Sequence, residues 1–283
     1  MATKIIIDSA SDIVKEEADE LGIILIPMTI RFEDEEYLDG YNISKKEFFE
    51  KLIENSTLPK TSQINPDRFS EEFKKIVDNG DEAVVITISS KLSGTYSSAV
   101  KASAEFKDKI FVVDSLNASL GERILFNYAY RLLKQNKSAS EIANELNSAK
   151  KRLHLLAMLD TLKYLRKGGR ISALVAFAGE IMSIKPVIAV KNGEVKLVGK
   201  AIGSKKAGNL LNKLVNEKGI DFDMPYCVAW SGLDTKLLDK YVADSESLWK
   251  HATNEIPKYA IGSTIGTHIG PNAIGVAFFS KEN

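Results

Sequence analysis

A short apolar run followed at once by small hydroxyl residues constrains the fold of this chain more than any other feature. Residues Ala83 to Ile88 are rich in Val and Ile, which is typical of a strand buried on both faces of a parallel sheet. Ser93, Gly94 and Thr95 come next and precede a segment of helical periodicity. A strand, a loop of this kind and a helix place free N–H groups where an anion can bind. Ser and Gly are also ordinary loop and capping residues, so the spacing alone leaves both interpretations open.

The first half of the chain continues this α/β pattern. Lys4 to Ile7 and Ile23 to Phe32 are predicted strands on either side of a helix, and such a βαβ opening favours a parallel sheet. A loop is expected over 56–65, and helices over roughly 118–135 and 139–152. We therefore predict a first domain over 1–152 with a mainly parallel sheet flanked by helices.

A strand at Leu153 to Leu159 opens a predicted second α/β domain over 153–283. Asn192-Gly193, between Pro186 to Val190 and Val195 to Val198, is the clearest hairpin signal in the chain. The end, Tyr259 to Phe279, is predicted to be rich in strand, with one histidine in a loop. The second domain is thus expected to contain a mixed sheet that includes a hairpin.

Residues 171–184, ISALVAFAGEIMSI, are apolar on nearly every face and predict a buried helix. One interpretation is a core helix packed between layers. The other is that its small residues leave room for an apolar ligand, in which case Ala173, Phe177, Ile181 and Ile184 would line a tunnel.

Composition excludes several classes of function. Lys plus Arg and Asp plus Glu both number 38, so the chain lacks the basic excess of a nucleic-acid-binding protein. A single cysteine, Cys227, excludes a disulfide framework and a cysteine metal cluster, and the three histidines have no metal-ligand spacing. No stretch has transmembrane length and no signal peptide is apparent, so we expect a cytoplasmic protein without stable membrane insertion.

Several short motifs together resemble the DegV family of bacterial fatty-acid-binding proteins. In the order of the family, and across nearly the whole chain (about 3–281), these are Asp8-Ser9, Lys60-Thr61-Ser62-Gln63, Ser89 to Tyr96, Asp114-Ser115, Asp160 to Ile171, Ile184-Lys185-Pro186 and the segment around His268. Each motif is weak alone, and their combination is specific. Lys91 stands where glycine is usual in that family, which would allow an ammonium group to approach the ligand head group.

The resemblance implies two α/β domains with a long-chain fatty acid of the C16–C18 class between them. It implies a non-catalytic lipid carrier without a further cofactor, which presents the acid to a fatty-acid kinase for acyl phosphate formation. Thr61 and Ser93 would bind the carboxylate, with His268 in the same network and Ser62, Gly94 and Thr95 beside them. Arg170, with Lys167 and Arg166, would contact the kinase or the phosphate.

Two rival functions remain open at this point. One is a serine hydrolase with Ser93 as nucleophile, His268 as base and Asp114 or Asp8 as the orienting acid. Ser93 does not lie in a Gly-x-Ser-x-Gly motif, which weakens this hypothesis. The other is a phosphate- or nucleotide-binding regulator, although the lysine of a Walker P-loop is absent after Gly94.

Overall fold

A computed structural model describes residues 1–171 and 183–282 of the chain, and within these ranges the strands form three sheets. In chain order the strands are β1 (Thr3–Asp8), β2 (Ile24–Ile26), β3 (Thr29–Phe32), β4 (Glu35–Leu38), β5 (Lys60–Ser62), β6 (Glu82–Thr87), β7 (Ile110–Asp114), β8 (Leu153–Met158), β9 (Ile184–Lys191), β10 (Glu194–Ile202), β11 (Cys227–Trp230), β12 (Lys258–Ala260) and β13 (Ile274–Phe279).

The helices lie between these strands and cover the sheets. They are α1 (Lys15–Leu21), α2 (Lys45–Glu54), α3 (Pro66–Asp78), α4 (Thr95–Ser103), α5 (Leu120–Lys134), α6 (Ala139–Ala149), α7 (Lys163–Lys167), α8 (Ser204–Lys218), α9 (Lys236–Asp244), α10 (Glu246–Trp249) and α11 (Ser263–Ile269). Short 3₁₀ turns occupy Ser9–Ser11 and Lys150–Arg152.

The first sheet is parallel, with strand order β2-β1-β6-β7. Every residue of β6 is buried, as its unbroken apolar run predicts for a central strand covered on both faces. Helices flank this sheet, so the predicted architecture of the first half is confirmed. The carboxyl ends of β1, β6 and β7 meet at one edge, where the loop bearing Ser93 begins.

The second sheet is mixed, with strand order β10-β9-β8-β13-β11-β12. Its β9 and β10 are antiparallel and form the predicted hairpin, whereas β11 and β12 are parallel. Asn192 and Gly193 both have positive φ, 53° and 83°, as a type I′ turn requires. The predicted mixed sheet with a hairpin is confirmed.

The third sheet, β4-β3-β5, was not predicted. The single strand expected over 23–32 divides at Pro27, which has no N–H to donate to a ladder. Its first part joins the parallel sheet as β2, and its second part pairs with β5 inside the segment expected to be a loop. That pairing places Thr61 opposite Ile30.

The last part of the chain also differs from the prediction. Helix α11 lies within the segment expected to be rich in strand, so His268 is in the last turn of a helix and not in a loop. The side chain of Asp39 accepts hydrogen bonds from the N–H groups of Ser263 and Thr264, both at 3.1 Å. The helix is therefore capped by a residue more than 220 positions away, which no local pattern can show.

Most of the predicted apolar helix over 171–184, including Ala173, Phe177 and Ile181, lies outside the described residues. Ile171 forms an isolated bridge with Val195. Ile184 is the half-buried first residue of β9, so its place in a tunnel stays a prediction.

The largest apolar core draws on both halves of the chain. It contains most of the parallel sheet and also Cys227, Ala229, Ile265 and Phe279. The division into domains at 152/153 therefore stays a prediction about chain organisation, because the two predicted units share buried side chains.

Candidate functional site

A cavity of about 270 Å³ lies between the mixed sheet and the first half of the chain. Its floor is one face of the mixed sheet, formed by alternate residues of neighbouring strands, among them Leu155, Ala157, Ile188 and Val190. The opposite wall comes from the loops after β6 and β7 and from α11. Its size is close to the lower end of the roughly 300–1,000 Å³ typical of small-molecule pockets.

Two small residues lie side by side in the part of the sheet that lines this cavity. Gly275 of β13 is paired directly with Ala157 of β8, and both line the cavity. A methyl group added at Gly275 would come within 2.9 Å of Leu120 Cδ1 on the opposite wall. Leu120 therefore packs directly against the middle of the sheet, where a side chain larger than glycine would clash with it.

Three of the polar side chains predicted from the sequence line this largely apolar cavity. Thr61 Oγ1 lies 2.9 Å from His268 Nε2, so a hydrogen bond joins β5 to α11. Ser93 Oγ lies 3.0 Å from Thr95 Oγ1. Thr61, Ser93 and His268 all line the cavity, although they are far apart in the sequence.

The remaining residues predicted around Thr61 and Ser93 have different positions. Ser62 is exposed, since successive residues of a strand point to opposite faces and Thr61 points inward. Thr95 is fully buried, and its hydroxyl contacts Ser93 Oγ and accepts a bond from Ile64 N. Thr95 thus positions the Ser93 hydroxyl through a hydrogen bond.

Gly94 also lines the cavity, and a second side chain packs directly against it. A Cβ at this position would lie 1.9 Å from Oε1 of Gln63. Gln63 itself lines the cavity, and its Nε2 donates to Ser98 Oγ at 3.2 Å. Gln63 belongs to one of the family motifs, but the sequence did not predict it as a site residue.

His268 is held as a neutral imidazole. Burial, with a smaller contribution from the charge of Arg170, lowers the pKa of His268 to about 4. Within the described chain its Nδ1 has no hydrogen-bond partner, and a Cβ on Gly168 would lie only 2.3 Å from that atom. The ring is therefore fixed by close packing on one side and by Thr61 on the other.

The basic residues near 166–170 divide into two groups. Arg170 lines the cavity, where its Nε donates to the carbonyl of Leu92 at 3.3 Å and its Nη1 donates to that of Gly168. Arg166 and Lys167 are exposed, as Arg170 is, but they belong to α7 and do not line the cavity. Arg170 thus places a positive charge at the polar part of the cavity, and the other two extend it onto the surface. Lys91 is exposed beside this region.

The contacts do not assemble the hydrolase triad. His268 Nε2 is bonded to Thr61, and Ser93 Oγ is bonded to Thr95. Both carboxyl oxygens of Asp8 accept backbone N–H groups, from Ala10 and Ile88.

Two further groups at this cavity were not predicted from the sequence. Ser119, which precedes α5, and Thr264, on α11, both line it and are 5% and 2% exposed. No local motif marks either residue, because they meet the cavity only through tertiary packing.

Residues 1–171 and 183–282 contain no group of three or more acidic, histidine or cysteine side chains arranged to hold a metal ion. Across the same ranges, none of the helices has both the length and the apolar character needed to span a bilayer.

A family model and a curated relative both match nearly the whole chain and indicate the same family. A family model described as "Uncharacterised protein, DegV family" matches residues 2–281. A DegV domain-containing protein of Caldanaerobacter subterraneus subsp. tengcongensis is 34% identical over 281 residues, which cover 98% of each chain.

Solved structures with this fold include proteins described as fatty-acid binders. A DegV family protein from Thermus thermophilus, described by its fatty acid binding, has a TM-score of 0.87 and 30% identity, covering 99% of this chain and 100% of that one. A stearic acid-binding protein from Eubacterium ventriosum has a TM-score of 0.86 and 26% identity, covering 99% of both chains.

Proposed function

The chain belongs to the DegV family, and from this membership we propose that it binds one long-chain fatty acid in the cavity between the mixed sheet and the first half of the chain. The acyl chain lies against the apolar floor, and the carboxylate lies at Thr61, Ser93 and His268. One observation carries the proposal: a largely apolar cavity is lined by hydroxyl, imidazole and guanidinium groups, and two of these, on Thr61 and His268, are joined by a hydrogen bond.

The energetics of a fatty acid fit this arrangement. Burying one methylene is worth about 0.8 kcal/mol, so a long acyl chain supplies most of the gross binding free energy. A carboxylate without partners in an apolar site costs several kcal/mol. The hydroxyl groups of Thr61 and Ser93 can donate to it, and the Arg170 guanidinium supplies a nearby positive charge.

The relatives support this ligand class. The Thermus thermophilus and Eubacterium ventriosum proteins, which share the fold over 99% of this chain, are described as binding fatty acid and stearic acid. A nucleotide, the alternative ligand, is disfavoured because the cavity wall beyond the polar groups is largely aliphatic.

We further propose that the protein is a cytoplasmic, non-catalytic carrier that presents the carboxylate to a fatty-acid kinase. Arg170 is at the cavity wall, and Arg166 and Lys167 continue its positive charge onto the exposed face of α7. A positively charged surface beside the carboxylate would attract the negatively charged phosphoryl donor that is bound to the kinase.

Replacing the hydroxyl donors tests the binding site. We expect Thr61→Val and Ser93→Ala each to weaken stearate binding by about 1–3 kcal/mol, because each leaves a buried charged acceptor short of a donor. Isothermal titration calorimetry measures the affinity, and mass spectrometry of extracted lipid identifies the natural ligand. Ser62→Ala, on the outer face of the same strand, is the matched control. Unchanged affinity in both site variants would place the carboxylate elsewhere.

Replacing the exposed basic residues tests the kinase contact. We expect Arg166→Gln with Lys167→Gln to leave stearate affinity unchanged and to slow acyl phosphate formation by a purified fatty-acid kinase. Lys218→Gln, an exposed lysine at the end of α8, is the control. Equal rates for the wild-type and the double variant would contradict the docking role.

A further inference from the structure

The hydroxyl group of Thr95 is completely buried next to Ser93, where it makes two hydrogen-bond contacts. Thr95 Oγ1 accepts the N–H of Ile64 at 3.3 Å and lies 3.0 Å from Ser93 Oγ. Each of the two hydroxyl groups has a single proton, so only one of them can donate across the 3.0 Å contact. The direction of this bond determines what Ser93 offers to a ligand in the cavity.

The burial of Thr95 determines that direction. If Ser93 donated to Thr95, the Thr95 hydroxyl proton would have no acceptor within the described residues. A buried donor without an acceptor is unfavourable. Ser93 is only half-buried and lines the cavity, so its own proton can point towards a ligand. Thr95 is therefore the donor, and Ser93 Oγ is the acceptor.

A second bond fills the remaining acceptor position on Ser93. The backbone N–H of Thr95 also donates to Ser93 Oγ, at 3.3 Å. A hydroxyl oxygen has two lone pairs, and the N–H and O–H groups of Thr95 occupy both of them. Ser93 can therefore donate a hydrogen bond to a ligand, but it has no lone pair left to accept one.

Thr61, the other hydroxyl group of the proposed carboxylate site, also receives a hydrogen bond from the protein. The neutral imidazole of His268 has one proton, and on Nδ1 this proton would be a buried donor without an acceptor in the described chain. Nδ1 also packs against Gly168, where a Cβ would come within 2.3 Å of it. The proton therefore belongs on Nε2, which donates to Thr61 Oγ1 at 2.9 Å. Thr61 thus keeps its own proton for the ligand.

We infer that Thr95 is a positioning residue that directs the Ser93 proton to the ligand and makes the site selective for an ionised carboxylate over the protonated acid. The inference rests on the proposed fatty-acid function and specifies the ionisation state of its ligand. A carboxylate only accepts hydrogen bonds, so it matches two hydroxyl groups that both donate. A protonated acid brings an O–H of its own, which Ser93 cannot accept unless the buried Thr95 proton loses its acceptor.

Other charged groups near the ligand must be separated from the effect of Thr95. Among the described residues that line the cavity, Arg170 and His268 are the ones with basic side chains, and none is acidic. Lys91, on the loop after β6, is exposed outside the cavity. These three groups stay unchanged when Thr95 is replaced, so a comparison between variants isolates the contribution of the Thr95 hydroxyl.

Carbon-13 NMR of the protein loaded with palmitic acid labelled at the carboxyl carbon tests the inference, because the carboxyl signal shifts when the acid is protonated. Thr95→Val keeps the shape of the side chain and removes its hydroxyl. We expect the midpoint of this titration to lie about one pH unit higher in Thr95→Val than in the wild-type, since Ser93 then has a lone pair free for the acid proton. Thr95→Ser should restore the wild-type midpoint.

Thr87→Val is the matched control, because Thr87 is also completely buried and does not line the cavity. Its midpoint should equal that of the wild-type. If Thr95→Val does not fold, Thr95→Cys gives the same comparison, since a thiol is only a weak donor.

Three results would overturn the inference, and they differ in what they imply. A midpoint that is the same in the wild-type and Thr95→Val would overturn it alone. A shift that persists when Thr95→Val is combined with Ser93→Ala would also overturn it, because Thr95 would then not act through Ser93. Failure of the wild-type protein to bind palmitic acid would overturn the proposed function together with it.

Discussion

At the scale of single residues, the least expected feature is a buried carboxyl group without a partner. Glu122 is completely buried in the first turn of α5, and neither of its carboxyl oxygens has a hydrogen-bond partner within 1–171 and 183–282. Burial, and to a smaller degree the charges of Asp8, Asp12 and Asp114, raise the pKa of Glu122 well above its ordinary value. Folding therefore favours the protonated form of Glu122.

This protonation makes the free energy of unfolding depend on pH. Because the pKa of Glu122 is higher in the folded than in the unfolded protein, its contribution is fully present below about pH 4.5 and is lost as pH rises towards the folded pKa. We expect Glu122→Gln to be more stable than the wild-type, by a margin that grows with pH by at most about 1.4 kcal/mol per unit. Urea unfolding at a series of pH values measures this margin.

The exposed Glu71, on α3, supplies the control. The difference in free energy of unfolding between Glu71→Gln and the wild-type should not grow with pH. A constant difference between wild-type and Glu122→Gln as the pH rises above about 4.5 would show that folding does not raise the pKa of Glu122.

At the scale of elements, the contact between α7 and α11 positions the imidazole of the site. Gly168 ends α7, and its α-carbon packs against the His268 ring of α11. Gly168 has a φ of −75°, which any residue can adopt. The contact therefore requires the small size of glycine and does not depend on its backbone freedom.

We expect Gly168→Ala to reduce stearate affinity roughly tenfold while the protein stays folded, because the new methyl group would displace the His268 ring from Thr61. Calorimetry and circular dichroism measure the two properties. Gly208→Ala on α8 is the control, since its added methyl would meet Tyr241 at an ordinary 3.5 Å. If Gly168→Ala weakened binding equally in a His268→Ala background, the ring would not be the cause.

The elements also show where sequence prediction succeeds. The pattern Ser-x-x-Glu, which is typical of a capping box, occurs at Ser44 to Glu47 and at Ser138 to Glu141, and these two capping boxes begin α2 and α6. The hairpin turn at Asn192-Gly193 is confirmed as well. Each of these features depends on residues within four positions of one another, so the local sequence contains all the information needed.

At the scale of the whole molecule, the two halves share their largest core. Ile265 and Phe279 of the second half pack in the same cluster as the parallel sheet of the first half. The hairpin turn also contacts the loop after β6, where Ser89 Oγ donates to the carbonyl of Gly193 at 2.8 Å. Separating the chain at 152/153 would expose apolar surface on both sides.

We therefore expect the intact chain to unfold in a single cooperative transition, because neither half can keep its core without the other. Fatty acid at about 100 times its dissociation constant should raise the free energy of unfolding by about 2.7 kcal/mol without dividing the transition. Scanning calorimetry measures both effects, and octanoate at the same concentration is the control. Two resolved transitions, with only one shifted by ligand, would instead favour two independent domains.

Local sequence patterns are enough to predict the parallel sheet and the mixed sheet of this protein, but not the third sheet, β4-β3-β5. The signals for these two sheets are unbroken apolar runs, alternating strands, capping residues and one turn dipeptide. Each signal lies within a few consecutive residues, so it can be recognised without knowledge of the fold. The family motifs also assign Thr61, Ser93 and His268 to one predicted site, and all three side chains line one cavity of the folded protein.

The cavity and helix α11, which bears His268, form only through contacts between distant parts of the chain. The floor needs Ala157 and Gly275 side by side, and α11 needs the carboxylate of Asp39 at its first turn. These partners are more than 100 residues apart, and their pairing follows from how the sheets and loops pack together. A sequence pattern that spans only a few residues cannot predict contacts between residues that meet only when the chain folds.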